Sequence, residues 1–467
     1  MAGFVIRARE ACETDFIDLA VSLTVSHRSP LEPLHIRHNI DKLIVWWGKG
    51  IFVSLCASIV LLGTGPLDSS LPRVSVSAWS VSRTTFFLWL IWKLLIWVRY
   101  GTEQLSFPKH VMPIPLVLFF ACVTLSLIPN FHGAGDYRYF FFGAMHYLMI
   151  LDLFSDQKRW RLLFCLLALV PGLLAVRGIL YDPSVLALDH MRRFGYPLPH
   201  PNIAGYLFAM TIPLCLAMVV GETGRLRVLS LLSCGAQLLA LILTYSRGSW
   251  VGWGVSMLFF TVMLKRRREI GVVVVVAGLL LSFATPLQDR LSTLVRPQTD
   301  FSINERLESM EAGLKLGLDH PVLGVGYGRG RLRAGLRELH LDTATDITRI
   351  AHTHNVYVEL FAETGLLGLG TFLWLLCQAL SQTLINANRF EGTNRVFQLG
   401  IAAAWIAFAV TALGDVPFFH HEIRILFFTL LALTHLYSYR ISWPLQVHAI
   451  GFPPSENFGI IGPVKNG

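Results

Sequence analysis

Apolar runs of about 20 residues recur along this chain, and each is long enough to cross the hydrocarbon layer of a membrane. Only 15% of the 467 residues are charged, and the mean hydropathy is +0.55. Soluble globular chains carry about 25% charged residues. Because one buried core cannot absorb this much apolar surface, lipid is the expected solvent. The sequence therefore predicts an all-α fold, a polytopic bundle of transmembrane helices.

We predict about twelve spans, with a segment 1–42 before them and a tail 439–467 after them. The transmembrane domain then covers residues 43–438, and one long, partly helical loop covers 288–354. The predicted spans are 43–63, 84–98, 111–128, 137–154, 160–178, 202–221, 227–246, 249–264, 270–287, 355–382, 396–414 and 421–438.

The distribution of Lys and Arg predicts the orientation. The net charge of +9 would suggest a nucleic-acid partner in a soluble protein, but here the basic residues cluster in short loops between apolar runs. Four such loops, around residues 158–161, 225–227, 265–268 and 389–395, fall on one side, which the positive-inside rule makes cytoplasmic. Both termini are then cytoplasmic, and the loop 288–354 is periplasmic.

Arg247 is the first candidate functional residue. It lies in TYSRGSWVGWG, between two apolar runs with almost no loop. An Arg at this depth is costly to desolvate, so it is either paired or functional, or it snorkels to the interface. The neighbouring Gly248, Gly252 and Gly254 are predicted to allow close helix packing.

A second basic group lies in LDHMRRFGYPLPHPNIAGY, which contains His190, Arg192, Arg193 and His200. Adjacent guanidinium groups on the periplasmic side favour a phosphate-bearing ligand, because Arg binds phosphate oxygens bidentately. The alternative is a solvated loop whose Arg pair contacts lipid headgroups. Asn202 is predicted to cap the next helix.

The loop 288–354 is not a basic patch, because eight Arg and one Lys balance nine acidic residues. Leucines and acids at helical spacing predict an amphipathic helix from Asn304 to Leu318, with Arg306 near its start. Four alternating glycines follow in HPVLGVGYGRGR. No strand precedes them and no helical pattern follows closely, so the run is interpreted as a flexible turn and not as a nucleotide site.

His352 and His354 end the loop, in AHTHNVYVELFAETG. A histidine at a water-accessible helix start suits general-base work on a hydroxyl. The pair could also bind a metal or form a structural hydrogen-bonding pair, and Glu359 is the nearest carboxylate at helical spacing. Glu359 and Glu363 lie one turn apart in an apolar helix.

A further polar group is expected at the ends of the last two spans. Its members are Asp415, His420, His421, Glu422 and Arg424.

In this order, four segments resemble the O-antigen ligase and polymerase superfamily, over residues 193–422. The segments are RFGYPLPHPNIAGYL, LTYSRGSWVGW, INERLESMEAGLKLGLDHPVLGVGYG and HNVYVELFAETG. In the last, ten residues separate His354 from Gly365, a spacing similar to the H-x10-G motif of the ligases.

The resemblance implies a metal-independent glycosyltransferase of the bacterial inner membrane, in lipopolysaccharide biosynthesis. Such an enzyme moves a glycan from undecaprenyl diphosphate to an acceptor hydroxyl on the periplasmic face, here the lipid A core. By analogy His354 is the base, and Arg247 and Arg306 hold the diphosphate. Arg193 is implied as a helper. Arg192, His200, His352 and Asp415 are expected as further substrate-binding residues, although the family pattern assigns no role to His352. No cofactor or metal is expected.

Three alternatives stay open. A polymerase that extends the repeat-unit glycan uses the same donor. An oligosaccharyltransferase acting on protein Ser fits less well, since such relatives usually carry a large C-terminal domain. A transporter, for example of inorganic carbon, should show broken helices at the bilayer midplane, whereas this sequence places Arg and His at the rim.

Overall fold

The computed structural model describes residues 34–61, 78–101, 113–128, 134–154, 157–187, 192–264, 301–339 and 352–442. Within these ranges every regular element is helical, which confirms the predicted fold class. The ninth predicted span, 270–287, lies outside them, as do His190, the basic loop 265–268 and the loop segments 288–300 and 340–351.

Thirteen α-helices cover the described part of the chain. They are α1 Leu34–Val60, α2 Ala78–Tyr100, α3 Ile114–Leu125, α4 Ala134–Leu153, α5 Gln157–Tyr181, α6 Pro201–Gly221, α7 Gly224–Leu243, α8 Arg247–Leu264, α9 Phe301–Asp319, α10 Arg329–Leu339, α11 Val356–Arg389, α12 Gly392–Thr411 and α13 His421–Ser442. Short 3₁₀ turns lie at Pro183–Ala187 and Pro417–Phe419.

Eleven of the twelve predicted spans coincide with one of these helices, and the amphipathic helix predicted from Asn304 is confirmed as α9. Seven described helices are long and apolar enough to cross a membrane, namely α1, α2, α5, α6, α7, α11 and α12. The chain is therefore a multi-pass membrane protein, whereas the number of about twelve spans stays a prediction.

The chain divides into two compact units. The first comprises residues 1–51, 91–105 and 439–467, and within it the Trp92 indole donates to the Ile44 carbonyl at 2.9 Å. The second comprises Phe52–Leu90 and Ser106–Ser438. All the candidate residues with described positions belong to the second unit.

Helices α6 and α12 form the centre of the second unit. α12 packs against α6, α8 and α11, and α6 also contacts α5, α7 and α8. Gly252 of α8 allows one of these crossings, because a Cβ there would lie 2.2 Å from the Thr411 hydroxyl, so its predicted packing role is confirmed. Among the described residues, the same prediction is wrong for Gly248 and Gly254, since a Cβ at either position would meet nothing within 4 Å.

Helix α11 is kinked at Gly365, where the backbone adopts φ 66° and ψ −168°. A kink leaves amide and carbonyl groups without their helical partners, and buried ones need new partners. The turn 321–326 supplies them. The Val325 amide donates to the Ala362 carbonyl at 2.9 Å, and the Leu366 amide donates to the Pro321 carbonyl at 2.8 Å.

The interpretation of the glycine run as a flexible turn with no helix after it is therefore wrong. Gly324 is packed against the α11 backbone, where a Cβ would lie 2.3 Å from the Glu363 carbonyl carbon. At Gly365 a Cβ would lie 2.2 Å from the Val322 oxygen, so both glycines are required for the contact. Helix α10 begins at Arg329, directly after the run.

Candidate functional site

A polar cavity of about 410 Å³, open to solvent, brings together three arginines that are distant in sequence, Arg193, Arg247 and Arg306, with Asp415. We call it the cationic pocket. Its other lining residues are Asn202, Tyr206, Tyr245, Ser246 and Gly248. With three guanidinium groups against one carboxylate, its formal charge is positive, and it suits an anionic ligand.

The turn Ala412–Asp415 is the point on which the site is assembled. The Ala412 carbonyl accepts a hydrogen bond from the Val356 amide at 3.0 Å. The Leu413 carbonyl accepts from the Asn355 side chain at 3.0 Å, and the Gly414 carbonyl accepts from the Arg306 guanidinium at 2.7 Å. Two helix starts, α9 and α11, are thereby held against the end of α12. Backbone carbonyl groups leave no mark in a sequence motif, so the sequence does not predict that these three hold α9 and α11.

The prediction that Asn202 caps helix α6 is wrong. The cap of α6 is His200, whose Nδ1 accepts from the Asn202 amide at 3.1 Å. The Asn202 side chain instead accepts from Arg193 at 2.6 Å and donates to Asp415 at 2.8 Å. Arg193 also donates to the Thr244 carbonyl at 2.8 Å, so its guanidinium is fixed at the wall of the cationic pocket.

Arg306 reaches the cationic pocket from the first turns of α9. Its Nη2 lies 3.7 Å from the Asp415 carboxylate, and its buried Nε has no hydrogen-bond partner among the described residues. A buried N–H without a partner is costly, and a bound anion would satisfy it.

Arg247 is the first residue of α8, after a tight turn at Tyr245, where φ is 52°. Among the described residues, only Tyr245 and His354 adopt a positive φ without being glycine. Such backbone costs of order 1–3 kcal/mol and tends to cluster at functional sites. Both strained residues lie at this one site.

His354 is held next to Asp415, with its Nδ1 3.6 Å from the carboxylate, longer than a hydrogen bond. The His352 ring is close, its centroid 4.0 Å from that of His354. With its Nδ1 side turned to the carboxylate, His354 has Nε2 available to accept a proton from a substrate hydroxyl. Catalytic contacts are often longer before substrate binds than in the complex.

The electrostatics at Asp415 follow from its neighbours. Burial alone would raise the pKa of its carboxyl group. The contact with His354 and the charge of Arg306 act in the opposite direction, together with the charges of the two histidine rings. These contributions prevail, and the pKa of Asp415 is held well below the ordinary value, so the site keeps a carboxylate.

Hydrogen bonds with the start of α11 hold the segment 352–355 in place. Asn355 caps this helix, its side-chain oxygen accepting from the Tyr357 and Val358 amides at 2.9 and 3.1 Å. The buried Glu359 carboxylate accepts from the Thr353 amide at 2.9 Å and from its hydroxyl at 3.2 Å. Glu359 thus holds the residue between the two histidines.

A metal could be held here by residues other than those suggested by the sequence. Ligand atoms of His352, His354 and Asp415 all lie within 4.8 Å of one another. Glu359, the carboxylate nearest in sequence, is instead engaged by Thr353. A cation at this position would lie close to the positive charge of Arg306, which disfavours it.

The remaining candidates divide between the site and its surroundings. Arg193 enters the cationic pocket, while its neighbour Arg192 is exposed and does not line it. His200 lies at the exposed N-cap of α6, and its pKa is lowered by partial burial and by the charge of Arg193. The cation pair predicted at residues 192–193 therefore contributes one cation to the pocket.

The polar group expected between residues 415 and 424 is also divided. Asp415 lines the cationic pocket, whereas Arg424 lines a second cavity. His421 and Glu422 form a pair of their own, with 3.0 Å between Nε2 and Oε1.

Part of this chain matches a known protein family. Residues 231–373 match the O-antigen ligase family. The matched segment contains Arg247, Arg306 and His354, whereas Arg193 and Asp415 lie outside it. The match confirms, over residues 231–373, the resemblance to the O-antigen ligase and polymerase superfamily drawn from the sequence. No curated protein matches the chain.

Proposed function

We propose that the chain is a glycosyltransferase that moves a glycan from undecaprenyl diphosphate to a hydroxyl group of an acceptor, as an O-antigen ligase does with the lipid A core. The observation that carries the proposal is the cationic pocket, in which three guanidinium groups converge beside a histidine held by a carboxylate. The match of residues 231–373 to the O-antigen ligase family supports it.

In the proposed reaction, the acceptor oxygen forms a bond to the anomeric carbon of the donor glycan. The bond from that carbon to the diphosphate oxygen breaks, and its electron pair leaves with the undecaprenyl diphosphate. His354 takes the proton of the acceptor hydroxyl at Nε2, and Asp415 stabilises the imidazolium that forms. General-base catalysis of this kind contributes about 10²–10⁴-fold to a rate.

The arginines act on the leaving group. Negative charge grows on the diphosphate as the glycosidic bond breaks, and fixed cations stabilise it more in the transition state than before. Arg306 and Arg247 are proposed to bind the diphosphate oxygens, with Arg193 as a helper. Arg192, His200 and His352 are proposed as peripheral substrate contacts.

The proposal includes a location and an orientation. The protein lies in the bacterial inner membrane, both termini face the cytoplasm, and the cationic pocket faces the periplasm, because the basic loops around residues 158–161, 225–227, 265–268 and 389–395 would all be cytoplasmic. The donor then reaches the pocket from the outer leaflet of that membrane.

A repeat-unit polymerase is the second candidate, since the superfamily includes both activities and both use the same donor. The surface glycan of a strain lacking the gene separates them. Free lipid-linked polymer would indicate a lost ligase, and single repeat units on the core would indicate a lost polymerase.

The test of the reaction itself uses the purified full-length chain in lipid vesicles with a lipid-linked donor and a lipid A core acceptor. We expect transfer that is unchanged by a chelator, because the guanidinium groups supply the positive charge. Transfer that stops with chelator and returns with a divalent metal would instead assign His352, His354 and Asp415 as ligands. Absence of transfer with every donor and acceptor pair would contradict the proposed function.

A further inference from the structure

A second cavity, of about 240 Å³ and open to solvent, lies in the same compact unit. It is lined by Asp136, Tyr139, Tyr327, Glu363, Phe419 and Arg424, and we call it the aromatic pocket. The proposed transfer reaction assigns no role to these side chains. Gly328 also lines the cavity, and because it is a glycine, no side chain projects from that part of the wall.

The wall is built from fixed groups. Tyr327 is buried between Phe140 and Phe419, with ring centroids 5.9 and 6.2 Å away. The Arg424 side chain is only 3% exposed, and its Nε donates to the Phe418 carbonyl at 3.0 Å. This leaves the terminal nitrogens of the guanidinium for other partners.

Glu363 is the most informative group of this wall, because its side chain is fully buried. Its backbone is fixed by the docked turn, since the Gly326 amide donates to the Glu363 carbonyl at 3.0 Å. Carboxylates are rarely buried to this extent without a structural or binding role. Here the carboxylate lies at the wall of the aromatic pocket.

The combination of groups indicates the chemistry of the ligand. Two carboxylates accept hydrogen bonds, one guanidinium donates them, and three aromatic rings form apolar walls. A pyranose has hydroxyl groups that both donate and accept, and it has C–H faces that pack on aromatic rings. A diphosphate is excluded, because two carboxylates against one guanidinium make the lining formally negative.

The position is also suitable. The segment from Asp415 to Arg424 contributes to both pockets, and Glu363 of helix α11 lines the aromatic pocket. Glu363 lies one helical turn, about 5.4 Å along the axis, beyond Glu359, which holds Thr353 beside His354. Helix α11 and the segment from Asp415 to Arg424 therefore contribute both to the surroundings of His354 and to the aromatic pocket.

We propose that the aromatic pocket is a pyranose subsite, in which Glu363, Asp136 and Arg424 bind the hydroxyl groups of one sugar unit. The inference rests on the proposed function, since it takes the sugar to belong to the transferred glycan or to the acceptor. Both sources present the same chemistry, and kinetics can separate them.

The first measurement needs no transfer. Saturation-transfer NMR is recorded on the purified full-length chain with methyl glucopyranoside and methyl N-acetylglucosaminide. We expect a signal for at least one pyranoside, and a loss of that signal in Tyr139→Leu and in Glu363→Gln. Tyr137→Leu is the matched control, because Tyr137 lies on the same helix, is also half-buried and does not line the pocket.

The second measurement is the KM of each substrate in the transfer assay. Loss of a hydrogen bond to a charged group should raise KM about tenfold in Glu363→Gln, with kcat changed less. A rise for the acceptor alone assigns the subsite to the acceptor, and a rise for the donor alone assigns it to the donor glycan.

The outcomes separate this inference from the proposed function. Pyranoside binding that depends on Tyr139, without any transfer by the wild-type chain, would overturn the function and retain the subsite. Normal transfer with both KM values unchanged in Glu363→Gln and Tyr139→Leu, or equal NMR signals in all variants, would overturn the subsite alone. Since Tyr139 is half-buried, its replacement should leave the fold intact.

Discussion

The cationic pocket and the aromatic pocket share the segment from Asp415 to Arg424, but they differ in charge and in how their polar groups are used. In the cationic pocket, Asp415 contacts Asn202, Arg306 and His354, and three guanidinium groups line the cavity. In the aromatic pocket, acids outnumber the cation and rings form the walls. The difference suggests that the two ends of a glycosyl diphosphate are recognised by separate chemistry.

Replacing His354 with Ala should give the largest effect and should sharpen this division. We expect transfer to fall by about 10²–10⁴-fold, because the base is lost, while pyranoside binding in the aromatic pocket stays unchanged. The measurement is kcat in vesicles, with His320→Ala, an exposed histidine outside both pockets, as the control. Undiminished transfer in His354→Ala would exclude it as the base.

Replacing Asp415 with Asn should have a smaller effect on the rate and a distinctive dependence on pH. We expect transfer to fall by about 10–100-fold, because the interaction of a carboxylate with the imidazolium formed in the reaction is worth about 1.5–3 kcal/mol. Because the folded pKa of Asp415 is lowered, its ionised form stabilises the fold above the ordinary carboxyl pKa of about 3.9, and this stabilisation is lost as the pH falls toward the folded value.

The check on Asp415 is the thermal stability of wild type and Asp415→Asn between pH 3 and 8, with Asp319→Asn as the exposed control. The advantage of wild type over Asp415→Asn should be largest near neutral pH and should shrink below about pH 4. A difference that does not change with pH would mean that the carboxylate charge is not what stabilises the site.

Much of this fold follows from local patterns in the sequence. Eleven helices were predicted near their observed positions, because apolar length is a local property. Arg247 and His354 stood out for a similar reason, since a charge in or beside an apolar run is conspicuous. Arg306 was assigned a role only through the family resemblance.

What the sequence did not reveal depends on contacts between distant segments. Asn202 looked like a helix cap, yet its side chain joins Arg193 to Asp415, 213 residues away. Gly324 was interpreted as part of a flexible turn, and Gly365 was recognised only as the end of the H-x10-G spacing. Both glycines in fact allow a turn to dock into a kink. The aromatic pocket combines residues from 136 to 424, and no spacing along the chain predicts it.

Binding of a lipid diphosphate tests the central claim most directly. The affinity of the purified chain for undecaprenyl diphosphate and for undecaprenyl monophosphate is measured for wild type, Arg306→Lys and the exposed control Arg331→Lys. We predict a preference for the diphosphate in wild type and in Arg331→Lys, and a loss of about tenfold in diphosphate affinity in Arg306→Lys, because Lys lacks the bidentate fork. Equal affinity of wild type for the two lipids, unchanged in Arg306→Lys, would contradict the account.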